Sequence, residues 1–232
     1  MFPDITLTGA DSSIDHAELF RLSAEFPLVE WGVLYHQERQ GNGRYPTFEW
    51  ITTLCKQMSA HSGARVALHV CGRGAINEFF LGTGAVSQVV GFFGRIQLNL
   101  TAANIEPALL VDAIARYPNK VIITQHNAAN ESLLEVLRGL PNHALLFDQS
   151  GGRGISPAFW PAPLPGKSTF GYAGGLGPDN LGIELPRIQR AAGLSPFWID
   201  IEEKLRTGDL FDLSLARRCL MTCNELALVR PS

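Results

Sequence analysis

Short apolar segments alternate with amphipathic segments along the whole chain of 232 residues. The apolar segments have the length and composition of buried strands, and eight of them are predicted to be strands. They are DITLT from residue 4, VEWGVLY from 29, RVALHV from 65, RIQLNL from 95, KVIITQ from 120, ALLFD from 144, TFGYAG from 169 and FWIDI from 197. Between them, apolar residues at helical spacing predict helices over residues 15–26, 47–63, 107–118, 130–141, 182–194 and 213–229.

The order of these segments predicts the fold. From the fourth strand onward the predicted strands begin about 25 residues apart, which is the length of a unit of one strand and one helix. Strands joined through a helix run parallel to each other. Eight such units in 232 residues favour an α/β protein with a (β/α)8 TIM barrel over an open doubly wound sheet, and we expect a single domain over residues 1–232.

Two segments depart from this regular alternation. Residues 72–94 are compatible either with two helices or with one helix and an irregular loop. Residues 159–168 are rich in proline and lie where a barrel would have its sixth helix. Because proline interrupts helices, we expect that helix to be short or replaced by a loop.

Composition narrows the class of protein. A net charge of -3 without a basic run argues against a nucleic-acid-binding surface. No apolar stretch reaches the roughly 18 residues of a membrane span, and the first residues lack the pattern of a signal peptide. We therefore expect a cytoplasmic protein with reduced cysteines. We also expect a monomer or homodimer that binds a small-molecule substrate and needs no metal or cofactor.

A carboxylate ends the predicted sixth strand. LLFDQSGGRGIS places Asp148 there and then supplies Gly151, Gly152 and Gly154. In a (β/α)8 barrel this is the face that carries the active site, where a carboxylate is suited to general acid or base catalysis. The glycines indicate positive φ angles or close approach of the backbone to a ligand. The alternative is that Asp148 only caps its own loop.

A glycine pair follows the predicted seventh strand. FGYAGGLGPDNLG contains Gly174 and Gly175 and then Pro-Asp-Asn, which indicates the start of a helix. The N-terminus of a helix offers free N–H groups to an anion, and the loops after strands seven and eight often bind phosphate in barrels. The pattern therefore predicts a phosphate site. The alternative is a tight turn required for packing of the helix on the strand.

Other polar residues lie near predicted strand ends. His69 and Cys71 share one face of the third strand, and His126 follows the fifth. These residue types bind zinc, but their spacing is not a recognised metal signature, so we favour substrate-facing residues or a core histidine. Arg44 lies in the polar loop 35–46, which is either a substrate loop with an anion-binding arginine or a solvated loop.

FDQSGGRG and AGGLGPDNL, taken together, resemble the phosphoribosylanthranilate isomerases of tryptophan biosynthesis. In that family a strand that ends in Asp is followed by a GG(T/S)G loop, and the next strand ends in AGGLxPEN. GVLYHQERQGNGRYP, RIQLNL and WIDIEEKLRTGDLFDLSLARRCL resemble its second, fourth and last units. The resemblance covers most of the chain and is specific in the second half.

The resemblance implies an Amadori rearrangement, in which a phosphorylated aminoaldose becomes an aminoketose without a cofactor. Asp148 falls on the family's general acid, and Arg44 falls on the arginine on the anthranilate side. The glycine pair falls on part of the phosphate site. The glycines after Asp148 fall on the GG(T/S)G loop.

Three positions depart from the family. Thr8 stands where the family has the cysteine that acts as general base, and Asn99 stands in place of a histidine. Where the family's eighth strand ends in Ser-Ser-Gly and completes the phosphate site, Asp200 is followed by Glu202 and Glu203. A threonine hydroxyl is a poor base, and carboxylates repel a phosphate.

Three hypotheses follow. The first is the family's isomerisation of a sugar phosphate, with Asp148 as acid and a base among His69, Cys71 and His126. The second is a divergent barrel enzyme for a substrate without phosphate, with Glu202 as an acid–base or amine-binding group. The third is a small-molecule binding protein without catalysis. In each, we expect Asn99 and Asp200 to contact the ligand.

Overall fold

The computed structural model describes residues 4–61, 63–166 and 169–228. Eight parallel strands form a closed barrel in which each strand pairs with the next and β8 pairs with β1. They are β1 (Asp4–Thr8), β2 (Val29–His36), β3 (Arg65–Cys71), β4 (Arg95–Asn99), β5 (Val121–His126), β6 (His143–Phe147), β7 (Phe170–Ala173) and β8 (Phe197–Ile201). The predicted (β/α)8 barrel is confirmed, and each predicted strand segment forms one barrel strand.

Helices cover the outside of the barrel. They are α1 (His16–Glu25), α2 (Phe48–Met58), α3 (Gly72–Leu81), α4 (Gly84–Val89), α5 (Pro107–Ala115), α6 (Leu133–Leu137), α7 (Leu181–Ala192) and α8 (Leu213–Leu228). Residues 72–94 thus contain two helices, the first of the two alternatives. Ser62 and Val229, at or near the ends of two predicted helices, lie outside the described residues.

The connection from β6 to β7 contains no helix in its described part, residues 148–166 and 169. The proline-rich segment therefore forms a loop there, as expected, although Lys167 and Ser168 lie outside the described residues. After β8, two short strands form an antiparallel hairpin, β9 (Arg206–Thr207) and β10 (Leu210–Phe211). No helix in the described part of the chain combines the length and the apolar content needed to cross a bilayer.

Successive side chains of each strand point alternately out of and into the barrel, and this separates two apolar cores. Side chains that point outward from the barrel, such as Trp31 and Tyr172, pack against the helices in one large buried cluster. Inside the barrel, a small separate cluster consists of Ile123, Ala144, Leu146 and Trp198 from the second half of the chain. The larger core holds the helices on the strands, so the strand ends that carry the candidate site have a fixed position.

Much of the rest of the barrel interior is polar, whereas interiors of this fold are usually filled by branched apolar side chains. Glu30 accepts hydrogen bonds from Thr6 Oγ1 at 3.0 Å and from Arg95 Nη1 at 2.9 Å. The guanidinium carbon of Arg95 lies 4.3 Å from the ring centroid of Trp198. Each charge is therefore paired, as buried charges must be to avoid a large desolvation penalty.

Gly32 gives Thr8 the space that its hydroxyl occupies. The two residues face each other in the register of β1 and β2, and a Cβ atom on Gly32 would lie 2.2 Å from Thr8 Oγ1. We expect Gly32→Ala to lower the free energy of unfolding by about 1–3 kcal/mol, because the buried hydroxyl must move. Urea denaturation measures this change. Gly94→Ala is the control, since no atom outside its chain neighbours lies within 4 Å of its Cβ position. If both variants unfold at the same urea concentration, the close contact between Gly32 and Thr8 has no effect on stability.

Candidate active site

A pocket opens at the carboxyl ends of β4 to β8, where active sites of this fold lie. Its floor includes Gln97, Gln125 and Leu146 from three neighbouring strands. Seven of the residues singled out in the sequence line it, namely Asp148, Gly152, Gly154, Gly174, Gly175, Asp200 and Glu202. The structure therefore brings together the loops after β6, β7 and β8, as the motifs predicted.

Asp148 is buried and is held by its own loop. Its Oδ1 accepts hydrogen bonds from Ser150 N at 3.1 Å and Ser150 Oγ at 2.8 Å, and its Oδ2 accepts one from Gly152 N at 2.5 Å. The remaining partner of Oδ2 is Gln125 Nε2 at 3.5 Å, a long contact that a ligand can replace. Asp148 thus caps its own loop and also lines the pocket. The geometry therefore agrees with both interpretations of its sequence, a loop cap and a carboxylate at the active-site face.

The loop after Asp148 depends on its glycines. Gly151, Gly152 and Gly154 have φ angles of 63°, 85° and 64°, in the left-handed region that only glycine adopts readily. Gly154 also lies against another part of the chain, since a Cβ atom there would be 2.8 Å from Glu203 Cβ. The glycines therefore bring the loop after β6 into contact with the loop after β8.

Asp200 lies inside the barrel on β8, next to Thr8 and His69. Thr8 Oγ1 donates a hydrogen bond of 2.7 Å to Asp200 Oδ1, and His69 Nε2 lies 3.8 Å from Oδ2. All three side chains are buried. Thr8 therefore stands beside a carboxyl group that lines the pocket, and its hydroxyl acts as a donor to that group.

Burial sets the protonation states of this cluster. Burial raises the pKa of Asp200 to about 8, and the hydrogen bond from Thr8 opposes the shift. Burial also lowers the pKa of His69 to about 3, with a smaller contribution from the charge of Arg95. At neutral pH the contact between His69 and Asp200 consequently joins two uncharged groups and is not an ion pair. Asp200 can then donate a proton to a ligand.

Cys71 and Asn99 form a hydrogen-bonded chain beside the pocket. Asn99 Nδ2 donates to Cys71 Sγ at 3.1 Å, and Gln97 Nε2 donates to Asn99 Oδ1 at 2.9 Å. Burial raises the pKa of Cys71 to about 12, so the thiol is protonated at neutral pH and is a poor base. Of the three, only Gln97 lines the pocket. Sequence reasoning missed it, although its two-residue spacing from Asn99 places both on one face of β4.

Arg44 connects the loop after β2 to the end of β8. Its Nη1 donates to Glu202 Oε1 at 2.5 Å, and its Nη2 donates to Glu203 Oε2 at 2.9 Å. Burial raises the pKa of Glu202, and the charge of Arg44 opposes this change. Arg44 is therefore paired with carboxylates, while Glu203, which sequence reasoning had treated only as an obstacle to phosphate, lines the pocket.

The glycine pair after β7 contacts the loop after β6. Gly174 and Gly175 have φ angles of 121° and 62°. A Cβ atom on Gly175 would lie 2.5 Å from Ser156 N, and one on Gly174 would lie 3.0 Å from Ile155 O. Tight packing by itself thus requires glycine here, and the phosphate site stays a prediction.

His126 is not brought into the pocket. Its ring centroid lies 6.4 Å from those of Phe147 and Phe170, while the preceding residue of β5, Gln125, lines the pocket. Successive side chains of a strand point to opposite faces, so only one of the two can face the ligand. Burial lowers the pKa of His126. The geometry gives no support to a role for His126 as the base.

Metal-binding residues do not cluster in the described structure. Over residues 4–61, 63–166 and 169–228, no three side chains of His, Cys, Asp or Glu are placed to hold a metal ion. His69 and Cys71 do both point inward from β3, as their spacing predicted, but each has its contact with a different polar group. The side chains of the two residues therefore have different partners, although the Cys71 thiol also lies 3.5 Å from the backbone oxygen of His69.

No protein-family model and no curated protein matches the chain. Solved structures do match. TrpF from Jonesia denitrificans is 14% identical, with a TM-score of 0.66 over 98% of this chain and 100% of its own. Phosphoribosyl anthranilate isomerase from Thermotoga maritima is 14% identical, with a TM-score of 0.61 over 97% of this chain and 100% of its own. The chain has the fold of the phosphoribosylanthranilate isomerases.

The fold is shared with other enzymes as well. The YdjI aldolase from Escherichia coli K12 is 11% identical, with a TM-score of 0.54 over 98% of this chain and 89% of its own. The isomerase resemblance inferred from the two loop motifs is thus confirmed at the level of the fold. Because one barrel supports many chemistries, the reaction must be argued from the pocket.

Proposed function

We propose that the chain is an acid–base enzyme that interconverts an aldose-like and a ketose-like small molecule in the pocket at the strand ends. The observation that carries the proposal is a pair of buried carboxyl groups, Asp148 and Asp200, that line one pocket in opposite environments. Pairs of titratable groups held in different protonation states mark an acid and a base. The reaction class comes from the resemblance of the fold and of the loop after Asp148.

Asp200 supplies the proton donor. Because burial raises its pKa to about 8, its carboxyl group is protonated at neutral pH. Thr8 fixes Oδ1 through the 2.7 Å hydrogen bond, which leaves Oδ2 as the oxygen that can carry the proton. Thr8 thus acts as a positioning residue in this proposal, in the place where the resemblance has a base.

Asp148 supplies the proton acceptor. Its oxygens accept three hydrogen bonds from N–H and O–H groups of its own loop, a pattern that suits a carboxylate rather than a carboxylic acid. The weak contact with Gln125 leaves one position of Oδ2 available to a substrate. The assignment exchanges the role that the resemblance implies for Asp148, because burial raises the pKa of Asp200 to about 8 and the hydrogen bonds of Asp148 all come from donor groups.

Such a pair can complete the reaction without a cofactor. The carboxylate removes a proton from C2 while the carboxylic acid protonates the carbonyl oxygen at C1, which gives an enediol. A proton then returns to C1 and the C2 hydroxyl loses one, so that the aldose becomes the ketose. General acid–base catalysis of this kind contributes about 10²–10⁴-fold to the rate.

The proposal predicts exchange of carbon-bound hydrogen. In D₂O, the wild-type protein should replace the C2 hydrogen of a suitable aldose or aminoaldose by deuterium and form the ketose, as followed by NMR. We expect Asp148→Asn to lower this rate by about 10²–10⁴-fold. Asp179→Asn, an exposed residue paired with Arg218, is the control. A rate unchanged by Asp148→Asn would remove that residue from the mechanism, and no exchange with any aldose or aminoaldose would contradict the proposed function.

The pH profile offers a separate prediction. The rate should be highest where Asp200 is protonated, so we expect it to fall as the pH rises through about 8. The same exchange assay, run from neutral to alkaline pH, measures this decrease. A rate that stays constant or increases through this range would show that a protonated Asp200 is not required.

A further inference from the structure

Four carboxyl groups line the walls of the pocket, of which that of Asp200 is uncharged at neutral pH. Asp148, Asp200, Glu202 and Glu203 line it, and its described lining residues include no lysine, arginine or histidine. Glu202 and Glu203 follow β8, beside the glycine pair at the end of β7. Because like charges repel, this end of the pocket disfavours an anionic group.

The chain itself fills the space beside the glycine pair. A Cβ atom on Gly175 would lie 2.5 Å from Ser156 N and 3.0 Å from Gly154 O, and one on Gly174 would lie 3.0 Å from Ile155 O. Two backbone carbonyl oxygens therefore approach the pair closely. Carbonyl oxygens carry partial negative charge, so they add to the repulsion of an anion.

The turn before α7 already uses polar groups that an anion would need. Gly177 N donates a hydrogen bond of 2.9 Å to Asn180 Oδ1, and Asn180 Nδ2 donates one of 2.9 Å to Gly175 O. The next residue, Pro178, has no N–H group. An anion at a helix N-terminus is held by free N–H groups, and two positions of this turn do not offer one.

A cation of the chain already binds at the acidic end. One guanidinium, that of Arg44, contacts both Glu202 and Glu203, so two carboxylates share a single positive charge. The side chain of Arg44 is 25% exposed and belongs to the loop after β2 rather than to the barrel. A ligand that carries its own positive charge can take its place without leaving the carboxylates unpaired.

We infer that the substrate bears a positively charged nitrogen, an ammonium group on a sugar-sized molecule, and that this group binds to Glu202 and Glu203 where Arg44 binds in the free protein. The inference rests on the proposed function, because it takes this pocket as the substrate site. Asp148 and Asp200 then face the carbon and oxygen atoms that react. The loop after β2 releases its arginine when the substrate enters.

Three hexoses of one ring size test the charge preference. D-glucosamine, D-glucose and D-glucose 6-phosphate carry a positive, a neutral and a negative group, and their affinities are measured by titration calorimetry with the wild-type protein. We expect glucosamine to bind about tenfold more tightly than glucose, a difference of about 1.4 kcal/mol, and glucose 6-phosphate to bind most weakly. The double variant Glu202→Gln/Glu203→Gln should lose the preference for glucosamine.

The opposite order would overturn the inference. The inference is also overturned if glucosamine and glucose bind equally, or if none of the three sugars binds at millimolar concentration. Tighter binding of glucose 6-phosphate than of glucose is enough to count as the opposite order. Glu135→Gln, at an exposed position of α6, controls for the loss of a carboxylate, and amide NMR spectra show whether each variant is folded. The binding measurement does not depend on turnover. Hydrogen exchange without a preference for glucosamine would therefore refute only the inference. A preference for glucosamine without hydrogen exchange would refute only the proposed function.

Discussion

Replacing Asp200 by asparagine is expected to lower the rate of carbon-bound hydrogen exchange by about 10²–10⁴-fold. The amide of asparagine does not donate a proton to a carbonyl oxygen, whereas the protonated carboxyl group of Asp200 does. Asparagine keeps an oxygen that can accept the 2.7 Å hydrogen bond from Thr8, and its volume is nearly the same. The exchange assay in D₂O measures the loss, with Asp179→Asn as the control.

The same substitution is expected to stabilise the protein at alkaline pH. The pKa of Asp200 is about 8 in the folded protein and 3.8 without the surrounding fold. A raised pKa means that its contribution to stability is complete below pH 4 and is lost as the pH rises through 8. Asparagine has no such loss. Each unit of pKa difference corresponds to about 1.4 kcal/mol, so the variant should gain up to a few kcal/mol relative to wild type between pH 5 and pH 8.5.

Urea denaturation of both proteins at these two pH values measures the gain. A variant that is more stable and less active cannot owe its lost activity to unfolding, so the two measurements support each other. If the free-energy difference between the variant and wild type is the same at both pH values, the carboxyl group of Asp200 is not held protonated by burial. If exchange continues at the wild-type rate, the acid is another group.

The fold could be predicted from the sequence because each strand of a parallel barrel is covered on its outer face and reads as a short apolar run. VEWGVLY and RVALHV illustrate this, and they form β2 and β3. The segment 72–94 is ambiguous because its six glycines and one threonine break the helical pattern without fixing where the first helix ends. In the structure Gly82 ends α3 with a φ of 65°, and α4 begins two residues later.

The site was predictable only where a motif is local. Asp148 and the glycines after β6 and β7 stand in continuous segments, and they line the pocket together. His126 and Gln125 are neighbours on β5, and a shift of one residue along a strand exchanges the two faces, so the sequence favours the wrong one of the two. A sequence alone does not show which of two neighbouring side chains of β5 faces the pocket.

The contacts that define the chemistry join distant parts of the chain. Thr8 and Asp200 are separated by 192 residues and meet only because β1 pairs with β8 to close the barrel. Arg44 and Glu202 are separated by 158 residues. No local pattern encodes either pair, and the shift in the pKa of Asp200 depends on burial by the whole barrel. The sequence therefore indicated the residues but not the partners that set their charge.

Replacing Arg206 by methionine is expected to lower the free energy of unfolding by about 3–5 kcal/mol, because it leaves the carboxylate of Asp11 buried without its cation. Arg206 Nη2 and Asp11 Oδ2 are 2.8 Å apart, and their side chains are 3% and 2% exposed. Arg206 Nη1 also donates to Gly9 O at 3.0 Å, and Asp11 Oδ2 accepts from Phe211 N at 3.0 Å. The pair thus fastens the hairpin β9–β10 to the loop after β1.

Urea denaturation measures the cost, and Arg218→Met is the matched control. Arg218 pairs with Asp179 at the same distance of 2.8 Å, but these side chains are 55% and 88% exposed, so its loss should cost less than about 1 kcal/mol. The double variant Arg206→Met/Asp11→Asn should recover part of the loss, since no unpaired charge remains buried. Equal costs at Arg206 and Arg218 would contradict this account. Because the hairpin directly continues the segment that carries Glu202 and Glu203, loosening it should also weaken the preference for a cationic ligand.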